Sequence, residues 1–152
     1  LFVGKEDERK SILRLIAEYN PYLLDVEFNT IRNDKKLASY LKKSKSKLLI
    51  SWHDFKRTPN ESQLRIKFNK MKKFSDVVKI VTVAKSVSDA SRLLSLYSVR
   101  SKNKTIAFCM GDAGKFSRIL CLHLGSPFTY VSLGKAIAPG QFSVDEMKSL
   151  QN

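Results

Sequence analysis

Cysteine, histidine and carboxylate side chains are scarce in this chain of 152 residues. The two cysteines, Cys109 and Cys121, stand without C-x-x-C spacing, which argues against a disulfide framework and for a reducing compartment. The two histidines, His53 and His123, show no ligand spacing, so no metal is expected. Neither a G-x-G-x-x-G nor a G-x-x-x-x-G-K-S/T loop occurs, and no cofactor is expected. No apolar run approaches the roughly 18 residues of a membrane span, and no charged-then-apolar leader opens the chain. A cytoplasmic protein without a membrane partner is the expectation. Acidic residues number 14 against 28 lysines and arginines, a net charge of +14. That excess admits nucleic acid, acidic membranes or small anions as partners. Most of it, including Lys42, Lys43, Lys45 and Lys47, falls on predicted helices and reads as a solvated face, so nucleic acid is not expected.

What is present is a regular alternation. With 43% hydrophobic residues and no low-complexity linker, residues 1–152 read as one domain with a substantial core. Ile12, Leu15, Ile16 and Tyr19 lie at helical spacing over residues 6–19, and Asn20-Pro21 stops that helix. Strands are expected at Tyr22 to Phe28, Leu48 to Phe55, Val77 to Ala84, Thr105 to Met110 and Pro127 to Leu133. Between them, helical stripes run through Leu37, Tyr40 and Leu41, through Leu64, Phe68 and Met71 after a cap at Asn60, through Ala90, Leu93, Leu94 and Tyr97, and through Phe116, Ile119 and Leu120. Ser143 and Glu146 form a capping box before a last short helix with Met147 and Leu150. Five strands, each followed by a helix and apolar on both faces, indicate a parallel α/β sheet covered on both sides. A doubly wound sheet and part of a (β/α)8 TIM barrel both fit, and we favour the barrel.

Two ionisable side chains interrupt these apolar runs: His53 in L-L-I-S-W-H-D and Lys79 in V-V-K-I-V-T-V. Desolvating such a group without a partner is costly, so each is a candidate for chemistry. His53 closes the second strand and Lys79 lies in the third, its sequential neighbour, and α/β proteins build their sites from polar groups at or near the carboxyl ends of strands. Burial among Val77, Val78, Ile80 and Val81 disfavours an ammonium, and a neutral amine is a nucleophile toward a ketone. From the pattern alone, Lys79 reads equally well as a core lysine paired with Asp25 or Glu27, which share one face of their strand. His53 reads equally well as a buried histidine bonded to backbone.

Four ordered motifs carry a resemblance. D-V-E-F at Asp25 to Phe28 is followed after nineteen residues by L-L-I-S-W-H-D at Leu48 to Asp54. V-K-I follows at Val78 to Ile80, M-G-D-A-G-K-F-S-R at Met110 to Arg118, and A-P-G-Q-F-S-V at Ala138 to Val144. In order and spacing the set resembles type I 3-dehydroquinate dehydratase, a Schiff-base lyase of the shikimate pathway. The resemblance implies dehydration of 3-dehydroquinate through an imine on Lys79, with His53 moving the proton, no cofactor, and a homodimer. It implies that Arg118 grips the substrate carboxylate, that Gln141 belongs to the loop over the substrate, and that Glu27 and Met110 also contact substrate. It also implies that the chain holds about strands four to eight of the barrel.

The chain departs from the family pattern at Ile137, where a small hydroxyl residue is usual, and at Trp52 and Phe28, which read as packing changes. The family's first three strands are not in this numbering, and Leu1 in place of methionine leads us to expect a longer polypeptide or a processed start. The competing readings are a non-catalytic barrel remnant or basic anion-binding or nucleic-acid-binding module, and another Schiff-base enzyme such as a class I aldolase.

Overall fold

The computed structural model describes residues 4–150; Leu1, on which the expectation about the start of the chain rests, lies outside the described residues. Four strands, β1 (Leu23–Glu27), β2 (Lys47–Asp54), β3 (Val77–Val83) and β4 (Lys104–Met110), form one parallel sheet in the order β1-β2-β3-β4. The helices are α1 (Glu6–Glu18), α2 (Phe28–Asn33), α3 (Lys35–Lys43), α4 (Glu61–Met71), α5 (Val87–Leu94), α6 (Ser117–His123) and α7 (Val144–Ser149). Parallel neighbours require crossover connections, and helices supply each of them here, which keeps sequential strands adjacent in space.

Local chemistry starts and stops the elements. Asn60 caps α4 by accepting from the Gln63 N–H at 2.9 Å, as its position before an apolar stripe led us to expect. Ser143 caps α7 in the expected box, accepting from Glu146 N while the Glu146 carboxylate accepts from Ser143 N. Asp34 caps α3 through Leu37 N, a cap the sequence reading passed over along with the short helix α2.

Alternation along each strand divides the core into two layers. On the helix-covered face lie Leu24, Val26, Ile50, Val78, Ile80 and Ala107, packed against Leu37, Leu41, Leu64, Phe68 and Leu93. On the other face lie Leu49, Val77, Val81, Ile106, Phe108 and Met110, with Cys121 of α6 and the rings of Phe128 and Tyr130. Phe28 and Trp52 are packing residues: Phe28 is buried edge-on to Phe74, and Trp52 lies beneath the Lys67 amine.

Three expectations are corrected. The fifth strand, Pro127 to Leu133, is absent: this stretch makes a single bridge, Ser132 to Ser143, and no ladder with β4. Pro127 has no N–H to give, and the Ser126 hydroxyl occupies the Phe128 carbonyl at 2.7 Å, so the backbone groups a ladder would use are diverted. On α1 the buried residues are Leu13 and Ala17, while Ile12, Leu15, Ile16 and Tyr19 stay exposed, because the helix packs on α3 and no described element covers its other side. On α6 the buried residues are Ser117, Arg118 and Cys121 rather than the apolar stripe, and Leu120 faces out. The Ser117 hydroxyl explains part of that orientation by accepting from Cys109 N at 2.8 Å, which ties the helix to β4.

Phe68 is fully buried at the centre of the helix layer. Phe68→Ala is expected to lower unfolding free energy by about 3–5 kcal/mol and Asn60→Ala by about 1 kcal/mol. Urea titrations of the two variants check this, and a similar loss for both would show that the core is not centred on this layer.

Candidate active site

The parallel register brings ionisable groups from three strands to one face. Glu27 pairs with Ser51 and Ser51 with Lys79, while His53 lies opposite Val81 two residues further along. Side chains at i and i+2 share a face, so Asp25 and Glu27, Ser51 and His53, and Lys79 and Val81 all project to the side away from the helix layer. A cavity of about 580 Å³ opens at the carboxyl ends of these strands. Its wall contains Glu27, His53, Lys79, Met110, Arg118 and Gln141, all six of the site residues read from the sequence. A second cavity of about 550 Å³ lies at the amino ends, between Lys47, Asp76, Lys102 and Lys104. It has no imidazole and no buried cation, and in parallel α/β folds the chemistry belongs at the carboxyl ends.

Lys79 is almost wholly buried, its side chain 10% exposed, with Val77 and Val81 beside it on the strand. Its setting is less apolar than the sequence suggested. Asp25 Oδ2 accepts from Nζ at 2.9 Å, and the Tyr130 ring centroid is 4.3 Å from the same nitrogen. Lys79 stands in the cavity wall, whereas Asp25, bonded to it, does not line the cavity. The amine is paired and still reachable.

His53 is also paired, though not with backbone. Its Nδ1 meets Glu27 Oε1, and Phe55 stacks on the imidazole with ring centroids 5.7 Å apart and planes 11° apart. The bond to Nδ1 leaves Nε2 without a partner among the described residues, so this nitrogen is the one available for proton transfer. Glu27, which also lines the cavity, is the partner of the histidine.

Arg118 is 2% exposed and has no ion pair among the described residues. Its guanidinium carbon sits 4.5 Å over the Phe108 ring, and its Nε is buried without a hydrogen-bond partner. Burial pushes its pKa below the ordinary arginine value, partly offset by the nearby Cys121 and Cys109. A buried guanidinium with an unmet donor costs free energy, and its planar fork has the geometry to take a carboxylate.

Gln141 closes the cavity from a loop. Its Oε1 accepts from Ile137 N at 3.0 Å and Ala138 N at 3.3 Å, so in this state the side chain braces its own loop. Gly140 carries φ +70, and a Cβ there would fall 2.6 Å from the Gly111 carbonyl oxygen. The loop therefore docks on the end of β4, where Gly111 N donates to the Pro139 carbonyl at 3.1 Å.

The sequence model of the family described as Type I 3-dehydroquinase matches residues 1–152. The chain belongs to that family. It is 42% identical over 144 residues to the 3-dehydroquinate dehydratase of Pyrobaculum aerophilum, covering 93% of this chain and 46% of that one. With the 3-dehydroquinate dehydratase of Methanococcus maripaludis strain C6 it shares 37% identity over 148 residues, 95% of this chain and 67% of that one. The crystal structure of the Aquifex aeolicus 3-dehydroquinate dehydratase superposes with a TM-score of 0.81 at 32% identity, covering 97% of this chain and 66% of that one. The chain thus spans about half to two thirds of the length of these relatives. Its four parallel strands and covering helices are the α/β fold of the type I dehydroquinase TIM barrel.

Beyond the residues that the type I dehydroquinase motifs bring out, the cavity is lined by Phe55, Val81, Phe108 and Tyr130. Phe55 is readable in the sequence as the aromatic two residues after His53. Tyr130 belongs to the stretch whose expected strand does not form, so only the fold brings it to the amine.

The unpaired guanidinium gives a separable prediction. Arg118→Met removes an uncompensated buried charge and is expected to hold or raise the thermal midpoint while abolishing stabilisation by an added cyclic hydroxy-carboxylate. A midpoint that falls sharply would make Arg118 a structural residue.

Proposed function

We propose that the chain carries the reacting groups of a lyase that dehydrates 3-dehydroquinate to 3-dehydroshikimate by syn elimination through a Schiff base on Lys79. The carrying observation is that a buried amine, an imidazole oriented by a carboxylate and an unpaired buried guanidinium all line one cavity.

Each step follows from these groups. Arg118 binds the substrate carboxylate by its planar fork and fixes the ring in the cavity. Uncharged Lys79 adds its nitrogen lone pair to the C3 ketone. The carbonyl oxygen then leaves as water with one proton from the nitrogen and one from an acid, which leaves a protonated imine. That cation draws electrons from the adjacent C–H bond, so His53 Nε2 can remove the C2 proton and give an enamine. The enamine electrons expel the C1 hydroxyl, which takes a proton from the imidazolium and departs as a second water. Hydrolysis of the product imine consumes one water and frees the amine, so one water is released in total. Glu27 holds the imidazole tautomer throughout and steadies its charged form. Met110 and Gln141 bound the substrate, and Ile137 leaves one hydroxyl contact to be made by another group.

The basic surface adds a diffusive role, since a +14 chain collects an anionic substrate. This reading puts the protein in the shikimate pathway of aromatic amino acid biosynthesis. It also puts the protein in the cytoplasm, in keeping with two buried free thiols, and in a homodimer. No described helix is long and apolar enough to cross a membrane. The convergence of the reacting groups in one cavity favours this reading over a non-catalytic basic module.

The same reading treats residues 1–152 as one domain, the C-terminal portion of a (β/α)8 barrel. The free edge of β1 and the exposed apolar residues Ile12, Leu15, Ile16, Tyr19 and Tyr22 form one face that preceding barrel elements would cover.

Incubating the whole polypeptide with 3-dehydroquinate and borohydride is expected to fix the reduced adduct on the peptide containing Lys79. His53→Ala is expected to keep that labelling but lower kcat by about 10²- to 10⁴-fold. Labelling at any other lysine, or turnover that survives Lys79→Met, would overturn the proposal.

A further inference from the structure

Each of the two reacting side chains is held between a carboxylate from β1 and an aromatic ring from a loop. His53 has Glu27 and Phe55; Lys79 has Asp25 and Tyr130. We infer that Tyr130 is a positioning residue for Lys79: its ring face and the Asp25 carboxylate form a two-sided cradle that holds the nitrogen while it is cationic, as ammonium before reaction and as iminium after. The inference rests on the Schiff-base reading and deepens it.

Three observations carry the role. The ring centroid is 4.3 Å from Nζ, inside the range at which a cation is drawn to a ring face. The ring is itself clamped, with Phe108 at 5.8 Å and Phe128 at 5.7 Å between centroids, so it is presented to the amine rather than free to swing away. Asp25 Oδ2 holds the same nitrogen at 2.9 Å, so the carboxylate and the ring act on one atom. Burial also pushes the Tyr130 phenol above its ordinary value, so its hydroxyl stays protonated and adds no second charge.

The consequence lies in the covalent step. Neither the neutral amine that attacks the ketone nor the carbinolamine carries charge on the nitrogen, whereas the protonated imine does. A ring over that atom therefore stabilises the iminium relative to the states on either side. The π face supplies this effect, so the hydroxyl is dispensable.

The test compares Tyr130→Phe, Tyr130→Leu and pentafluorophenylalanine at position 130 in the whole polypeptide. The last keeps the shape of the ring and reverses its quadrupole. The fraction of Lys79 trapped by borohydride is measured at saturating 3-dehydroquinate, and kcat/KM from rates at substrate concentrations below KM. Tyr130→Phe is expected to behave like the unsubstituted protein, and the other two to lose about 2- to 30-fold in kcat/KM with a matching fall in trapped imine. If Tyr130→Leu does not fold, the fluorinated ring still decides the matter. Equal trapping in the phenyl and fluorinated variants overturns the inference, as does a loss shared by Tyr130→Phe. Absence of trapping in the unsubstituted protein instead overturns the Schiff-base reading beneath it.

Discussion

A buried amine and a buried guanidinium sit inside an apolar layer, and most of the architecture around the cavity answers to them. Lys79 and Arg118 project from β3 and α6 among Val77, Val81, Ile106 and Phe108. Withdrawing a charge from water is costly unless a partner replaces the hydration, and the two sites meet that requirement in opposite ways. Lys79 has a carboxylate and a ring within reach. Arg118 has a ring and a free fork. The first arrangement holds an amine in place, and the second leaves guanidinium donors without a carboxylate partner among the described residues.

The scaffold that holds them is the parallel register. Because β1, β2 and β3 run side by side in sequence order, Asp25 is level with Leu49 and Val77 and Glu27 with Ser51 and Lys79, so each carboxylate reaches a side chain two residues further along on the same face. Asp25 reaches across β2 to Lys79, while Glu27 stops at His53. Two residues of separation along one strand are thus converted into two separate chemical pairings. A one-residue slip would turn both carboxylates into the helix layer. The loop carrying Gln141 is fixed to the same end of the sheet by the close approach of Gly140 to Gly111, which only a residue without a side chain allows.

Much of this was legible in the sequence because it follows from period and from charge out of place. The four strands, the Asn60 and Ser143 caps and the six cavity residues all declared themselves as interruptions of an apolar pattern or as ordered motifs. What was not legible depends on neighbours distant in sequence. Pro127 to Leu133 has strand-like composition, yet its backbone groups are diverted and its rings turn inward, so Tyr130 was misplaced. The apolar stripe of α1 has helical spacing, but nothing among the described residues covers it. On α6, the rule that apolar residues face inward fails because Ser117 and Arg118 have partners or roles in the interior. Departures of this kind concentrate where a fold carries function.

The central claim is that the Lys79 nitrogen becomes covalently bonded to the ketone carbon of the substrate during turnover. Carbon-13 NMR of the whole polypeptide, labelled with nitrogen-15 at the lysine side chains and supplied with dehydroquinate carrying carbon-13 at C3, observes that bond directly. The account predicts an iminium carbon signal split by one nitrogen, present in His53→Ala and absent in Lys79→Met. Formation of dehydroshikimate with only ketone or hydrate signals, and no such splitting in either protein, would contradict it.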